Sequence, residues 1–198
     1  MTIQKGFDNM SHTVLTQPLT LTFGRPDASD CACRLEKEIR TYDLLDYLGI
    51  SYQRVDHPAA KTIHDCTDVD ALLGISICKN LFLTNSQKNR FYLLLIPGEK
   101  KFRTAVLSKQ IGSSRLSFGG PEDMERLLDI TPGSVSVLGL MNDTEHQVQL
   151  LIDRDAVENQ EFFACHPCIN TSSLKFPTAD LMEKFLPFVK HEPIFVDL

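Results

Sequence analysis

SICKNLFLTNSQKNRFYLLLI, residues 76–96, holds two apolar runs on either side of a polar turn. Leu81-Phe82-Leu83 and Tyr92-Leu93-Leu94-Leu95-Ile96 have the length and residue types of short buried strands. Asn85-Ser86-Gln87-Lys88-Asn89 between them supplies turn residues, so the stretch predicts two neighbouring strands joined as a hairpin. At its start stand Lys79 and Asn80. An ammonium is costly to bury without a partner, so Lys79 is either the solvated edge of a strand or a residue with a task.

Working outward, Leu35, Ile39, Leu44, Leu45 and Leu48 recur near the helical period, with Gly49 as a C-terminal stop. Ile50 to Val55 alternates apolar and polar side chains as a half-buried strand does, and His57-Pro58 ends it. Thr67 or Asp65 is placed to cap a helix through Val69, Leu72 and Leu73 to Gly74. Beyond the hairpin, Thr104 to Ile111 reads as a short helix and Ser117 to Pro121 as a turn. Pro121-Glu122-Asp123 then opens a helix whose first-turn acids suit the macrodipole. Gly133 to Leu140 is apolar but built from small residues, and reads as a strand or loop that another backbone or a ligand approaches closely. Gln147 to Asp153 is a strand candidate and Asp180 to Val189 an amphipathic helix. Interleaved strands and helices predict an α/β fold with a mixed sheet. The domain is expected over residues 34–198. Residues 1–33, polar, Thr-rich and punctuated by Pro18, Gly24 and Pro26, are expected to form a poorly ordered arm without a catalytic role.

The 198 residues suffice for one domain that buries roughly 70% of its unfolded surface. An apolar fraction of 42%, a charged fraction of 23% and no apolar run near the roughly 20 residues of a membrane span predict a soluble chain. No secretory pattern opens the sequence and six cysteines are too few for a disulfide scaffold, so a reducing cytoplasm is expected. A net charge of −6 argues against a broad basic face for nucleic acid, while leaving room for recognition of one RNA end.

Few general motifs carry chemistry. Cys165-His166-Pro167-Cys168 has the spacing of a redox pair or half a zinc site, yet no second CxxC completes four ligands. Cys31, Cys33, Cys66 and Cys78 read as free thiols. His57, His64 and His166 are open between structural and substrate-facing roles. Phosphate-binding P-loops, nucleophile elbows and HExxH helices are absent.

Taken in order, however, several blocks form a pattern: His57-Pro58 with Thr62, Cys78-Lys79-Asn80-Leu81-Phe82-Leu83, Arg115-Leu116-Ser117-Phe118, Pro132-Gly133-Ser134-Val135, Gly139-Leu140-Met141-Asn142-Asp143, His166-Pro167 with Asn170-Thr171, and His191-Glu192-Pro193. From about Arg34 onward the chain resembles the freestanding prolyl-tRNA editing family, the YbaK and prolyl-tRNA synthetase-associated domain proteins, and within it the alanyl-tRNA(Pro) deacylases. The resemblance implies a mixed, curved β-sheet with surrounding helices, similar to the insertion (editing) domain of bacterial prolyl-tRNA synthetase. It implies a trans-editing hydrolase that deacylates mischarged tRNA(Pro), most of all Ala-tRNA(Pro), by water attack on the aminoacyl ester. It implies no metal and no organic cofactor, and as partners the acceptor end of the mischarged tRNA and the synthetase itself.

The same resemblance distributes roles. Lys79 carries over as the residue most closely tied to activity, placed to hold a phosphate or hydroxyl of the terminal adenosine or to stabilise charge on the attacked carbonyl. The family's Gly-x-x-x-Pro loop falls on Gly133, Ser134, Val135, Ser136 and Val137, where backbone N–H groups are expected to face the ester, with Gly133 and Ser134 grouped with Lys79 as catalytic. Val137 stands where proline is usual, which frees φ and restores an N–H donor. Thr62, Asn80, Phe82, Gly139, His166 and Asn170 are expected to line the substrate pocket. The wall of Gly133, Ser134, Thr62 and Phe82 would admit a methyl group and exclude a ring, since one methylene of binding difference is worth only about 1–3 kcal/mol. Two other classes stay open: a non-catalytic protein of the same fold that binds an aminoacyl end, a tRNA 3′ end or a protein partner, and a thiol-based redox or metal protein centred on Cys165 and Cys168.

Overall fold

The computed structural model describes residues 18–59 and 67–198. Its centre is the expected hairpin: β3 (Lys79–Asn85) runs antiparallel to β4 (Phe91–Ile96), with Lys79 opposite Ile96 and Thr84 opposite Phe91. The turn is closed by one side chain. Asn85 Oδ1 accepts from the backbone N–H groups of Asn89 (3.0 Å) and Arg90 (3.1 Å), while its amide donates to Asn89 and Gln87.

Both strands lie inside a five-stranded mixed sheet of order β5-β3-β4-β6-β9, with β5 spanning Leu116–Phe118, β6 Val148–Asp153 and β9 Ile194–Val196. β6 is parallel to β4, and β9 to β6. An interior strand has neighbours on both edges and layers on both faces, which is why β4 is buried at every residue and reads as a continuous apolar run. Leu93 and Leu95 face the larger core, and Tyr92, Leu94 and Ile96 face a smaller one with Leu107, Leu116, Leu151 and Val196.

The second sheet is antiparallel, with order β1-β2-β8-β7: Leu21–Phe23, Gln53–Asp56, Ser172–Pro177 and Phe162–Cys165. Phe163, Leu174 and Phe176 share the larger core with Leu93 and Leu150 of the first sheet. The two sheets also touch through the backbone, where Cys78 N–H donates to the Ala164 carbonyl at 3.1 Å.

The helices are α1 (Ala28–Cys31), α2 (Glu36–Tyr47), α3 (Thr67–Leu73), α4 (Thr104–Gln110) and α5 (Pro121–Leu128), followed near the C-terminus by α6 (Thr178–Asp180), a π-helical turn at Leu181–Phe185 and α7 (Leu186–Val189). α2 buries Tyr42 and Leu45 and stops at Gly49, whose φ of 62° suits glycine. No helix among the described residues is long and apolar enough to cross a membrane.

The mixed α/β class is borne out, with its strands divided between two sheets rather than one. Part of the stretch assigned to the arm is structured: β1 pairs with β2, and Asp30 of α1 bonds Arg34 at 2.7 Å. Ser117, expected in a turn, lies in β5, because the edge of β3 offers it unpaired backbone groups at Thr84. The small-residue stretch from Gly133 to Leu140 begins as a turn and continues from Val137 into a 3₁₀ helix, Val137–Asn142, capped by Ser136 Oγ accepting from Leu138 N–H at 3.2 Å.

Candidate active site

The pleat sends successive side chains of β3 to opposite faces, so Lys79 and Asn80, neighbours in sequence, leave the strand in different directions. Lys79 shares its face with Leu81 and Leu83, and its ammonium donates to the carbonyl of Lys100 at 3.0 Å. Asn80 shares its face with Phe82 and meets the loop before the 3₁₀ helix. Its Oδ1 accepts from Val137 N–H at 2.8 Å and its amide donates to the Cys78 carbonyl at 2.9 Å. Where a proline would leave Asn80 without this donor, Val137 supplies one, and the residue it belongs to is fully buried.

From Val137 a hydrogen-bonded chain runs across the sheets. Ser136 Oγ donates to the His166 carbonyl at 2.5 Å. The His166 ring donates from Nδ1 to the Ser172 carbonyl at 2.8 Å and also lies 3.3 Å from Ser173 Oγ. That hydroxyl is bonded in turn to His57 Nε2 at 2.9 Å, and the two imidazoles stand 5.9 Å apart. His57 is pinned at its other nitrogen by the Pro58 carbonyl (2.9 Å) and at its backbone N–H by Thr171 (3.0 Å). Burial first, and the nearby His57 second, push His166 down to about 4 against the help of the Ser172 carbonyl. The ring is therefore neutral at physiological pH, with its proton on Nδ1 and Nε2 left as an acceptor. A cleft of about 430 Å³ adjoins this chain, lined by Thr20, Thr22, Asp56, His57 and Pro58 among others.

The expected site residues divide accordingly. Asn80, Ser136, Val137 and His166 are brought together. Ser134 is buried at 2% exposure, with both its N–H and its hydroxyl bonded to the Thr131 carbonyl, at 3.1 and 2.8 Å. Gly133, at φ 90°, forms the exposed corner of that turn, and Val135 packs partly on the core. Phe82 is a core residue, 1% exposed and stacked on Phe91 with ring centres 5.8 Å apart, so it offers no wall to an open pocket. Gly139 is also buried: a Cβ there would stand 2.3 Å from Ile130 Cδ1 and 3.2 Å from the Leu128 carbonyl oxygen, so the close approach read from its sequence is to another part of the chain. Asn170 is half-buried in the turn between β7 and β8. Thr62, with His64, lies outside the described residues.

Sequence reasoning passed over Ser172 and Ser173, both fully buried on β8. Their signal was available: two adjacent hydroxyls at the head of a strand that buries Leu174 and Phe176 need partners, and Ser173 Oγ finds them in His57 and His166 while Ser172 Oγ lies 3.5 Å from the Tyr42 hydroxyl.

The thiol reading finds no support in the geometry. Cys165 and Cys168 are fully buried and unbridged, and burial pushes both thiols up, Cys168 to about 11. Burial likewise holds Cys78 at about 12. None of them forms a thiolate readily. Among the described residues no three His, Cys, Asp or Glu side chains cluster as metal ligands.

Comparison with known proteins points one way. Residues 57–184 match the family model of the aminoacyl-tRNA editing domain. The prolyl-tRNA editing protein ProX of Acetoanaerobium sticklandii is 31% identical over 137 residues, covering 69% of this chain and 83% of that protein. Prolyl-tRNA synthetase associated domain-containing protein 1 of Danio rerio is 27% identical, covering 82% of this chain and 86% of its own. The crystal structure of a candidate trans-editing enzyme for prolyl-tRNA synthetase superposes with a TM-score of 0.61 at 15% identity, over 83% of this chain and 99% of that one, which shows a shared fold.

Proposed function

The chain belongs to the aminoacyl-tRNA editing domain family, and on that premise we propose that it is a trans-editing hydrolase of mischarged tRNA(Pro) that removes a small amino acid, alanine first among them, by water attack on the aminoacyl ester. The observation that carries the reading is the continuous chain from Asn80 through Val137, Ser136 and His166 to Ser173 and His57. It gathers separate segments into one polar wall beside the cleft that Thr20, Thr22 and Asp56 also line.

Within that wall each group takes a task. In the loop, the N–H groups of Ser134, Val137, Leu138 and Gly139 are already committed. That of Val135, a half-buried residue, is therefore the donor proposed for the negative charge that develops on the attacked carbonyl oxygen. His166 Nε2 serves as an acceptor for a hydroxyl of the terminal ribose, which in turn helps to activate the water. Lys79 supplies charge from the other face of β3: exchanging the Lys100 carbonyl for a phosphate or hydroxyl of the terminal adenosine replaces one hydrogen bond by another, and for the phosphate the new bond joins two charges. The departure at Val137 does not favour the non-catalytic reading, because its N–H is used to tie the loop to Asn80 and so replaces the rigidity a proline would bring. A tRNA substrate supports a working place in the cytoplasm, beside the synthetase that charges tRNA(Pro).

The test is a deacylation panel of tRNA(Pro) charged with alanine, cysteine, serine or proline. Hydrolysis of the alanyl ester well ahead of the prolyl ester is expected, with a loss of at least about 10²-fold in Lys79→Ala, the scale of removing one transition-state donor. Wild-type protein that hydrolyses none of the esters, or Lys79→Ala with full activity, would overturn the reading.

A further inference from the structure

The ammonium of Lys79 is aimed by a carbonyl, and that carbonyl is itself held in place. Lys79 Nζ donates to Lys100 O at 3.0 Å. The Lys100 side chain folds back onto the end of β6, where its ammonium lies 2.9 Å from Asp153 and 2.7 Å from Asp155. Asp153 is completely buried, and Lys100 is its cation. β6 is the parallel neighbour of β4, whose last residue, Ile96, stands opposite Lys79. The turn that follows β4 is also pressed against the segment that leads into β3: a Cβ on Gly98 would stand 2.8 Å from Ile77 O and 3.2 Å from Ser76 Oγ. Within the turn, Lys100 N–H donates to the Pro97 carbonyl at 3.1 Å. The turn is thus clamped at one end by close packing and at the other by the ion pair between the half-buried Lys100 and the buried Asp153.

A free lysine distributes its ammonium over many rotamers. Holding it at one acceptor before substrate arrives removes that search, and errors of about 1 Å in such placement can cost 10²-fold in rate. We infer that Lys100 is a positioning residue for Lys79, its ion pair with Asp153 fixing the carbonyl that sets the resting place of the Lys79 ammonium. The inference rests on the editing role proposed for Lys79, and Lys100 itself touches no substrate in it.

Two readouts test it. The first needs no tRNA: the rate at which acetic anhydride acylates Lys79, followed by peptide mass spectrometry, is expected to rise several-fold in Lys100→Met and to return to the wild-type rate in Lys100→Arg, which keeps the charge against Asp153. The second is hydrolysis of Ala-tRNA(Pro), where Lys100→Met is expected to lower kcat/KM about 10- to 100-fold, Lys100→Arg to recover most of it, and Lys100→Met to add nothing in a Lys79→Ala background. Should Lys100→Met fail to fold because Asp153 is left without its cation, Lys100→Met with Asp153→Leu replaces it in both assays. Unchanged Lys79 acylation in a folded variant, or losses that multiply with those of Lys79→Ala, overturns the inference. If the wild type hydrolyses no mischarged tRNA(Pro), the proposed function falls and the acylation rates alone decide the positioning role.

Discussion

The bond from Val137 N–H to Asn80 Oδ1 can be isolated by a double-mutant cycle of Asn80→Ala and Val137→Pro. Val137 is fully buried, so removing Asn80 orphans a buried N–H, at about 1–3 kcal/mol. Proline at this position has no N–H to orphan. It also fits the local backbone: Val137 opens the 3₁₀ helix, and Ser136 before it is extended at φ −146° and ψ 145°, the region that a residue preceding proline adopts. Val137→Pro alone gives up a bond worth about 0.5–1.5 kcal/mol net and gains about 0.4–1 kcal/mol by restricting the unfolded chain. Its stability is therefore expected within about 1 kcal/mol of wild type. Loss of the Asn80 amide bond to the Cys78 carbonyl is common to both backgrounds and cancels in the cycle. The expected coupling is about 1–2 kcal/mol, with Asn80→Ala severe beside the native Val137 and mild in the Val137→Pro background. Urea unfolding of the four proteins at one pH measures it. Additivity within about 0.5 kcal/mol would refute the claim that Asn80 holds this loop through its N–H.

Stability should fall as pH drops from about 6.5 to about 4: the unfolded His166 ring takes its proton near 6.5 and the folded one near 4, so the unfolded state binds more protons in that window. The contribution is at most about 1.4 kcal/mol per pH unit, and His166→Gln should flatten the slope measured by urea unfolding; an identical slope in the variant would remove His166 from the account. Gly139→Ala should cost about 1–3 kcal/mol through overpacking against Ile130 and the Leu128 carbonyl, while activity per folded molecule is kept; an unchanged melting temperature contradicts the packing. Cys165→Ala and Cys168→Ala should each retain hydrolysis, since neither buried thiol is set up to form a thiolate; loss of turnover with an intact fold would restore the thiol reading.

The parts of the fold that were legible in the sequence are those with strong local signals. The β3–β4 hairpin carries two apolar runs around a turn, α2 repeats apolar residues until Gly49, and α5 opens on Pro121 with acids behind it. β7 and β8 carry weaker signals, because Phe162–Cys165 runs into a Cys-His-Pro-Cys motif that reads as chemistry, and Ser172-Ser173 dilutes the apolar pattern of β8. β5 and β9 are three residues each, too short to show a period, and exist because an existing strand offers its edge. At the site, the family resemblance pointed to Asn80, Ser136, Val137 and His166, which the fold brings together, while strand parity, which separates Lys79 from Asn80, follows only once the register is fixed. Phe82 and Gly139, expected in the pocket on the resemblance, are buried in the structure; small and aromatic residues serve cores and pockets alike, so their type alone does not distinguish the two.

Strand parity has a further consequence, for folding fidelity. Because β3 is apolar on both faces at its centre, with Phe82 and Leu83 both buried, hydrophobicity alone scarcely distinguishes the native hairpin from one slipped by a single residue. The slipped form would still bury its leucines, but it would exchange Lys79 and Asn80 between faces, taking the amide from its loop and the ammonium from its carbonyl. What marks the correct alignment is polar: Asn80 bonded to Val137 at one end, and Asn85 gripping the turn at the other. Asn85 therefore acts as a registration mark for a site it never touches, and its replacement is expected to yield a fraction of compact, soluble and inactive molecules.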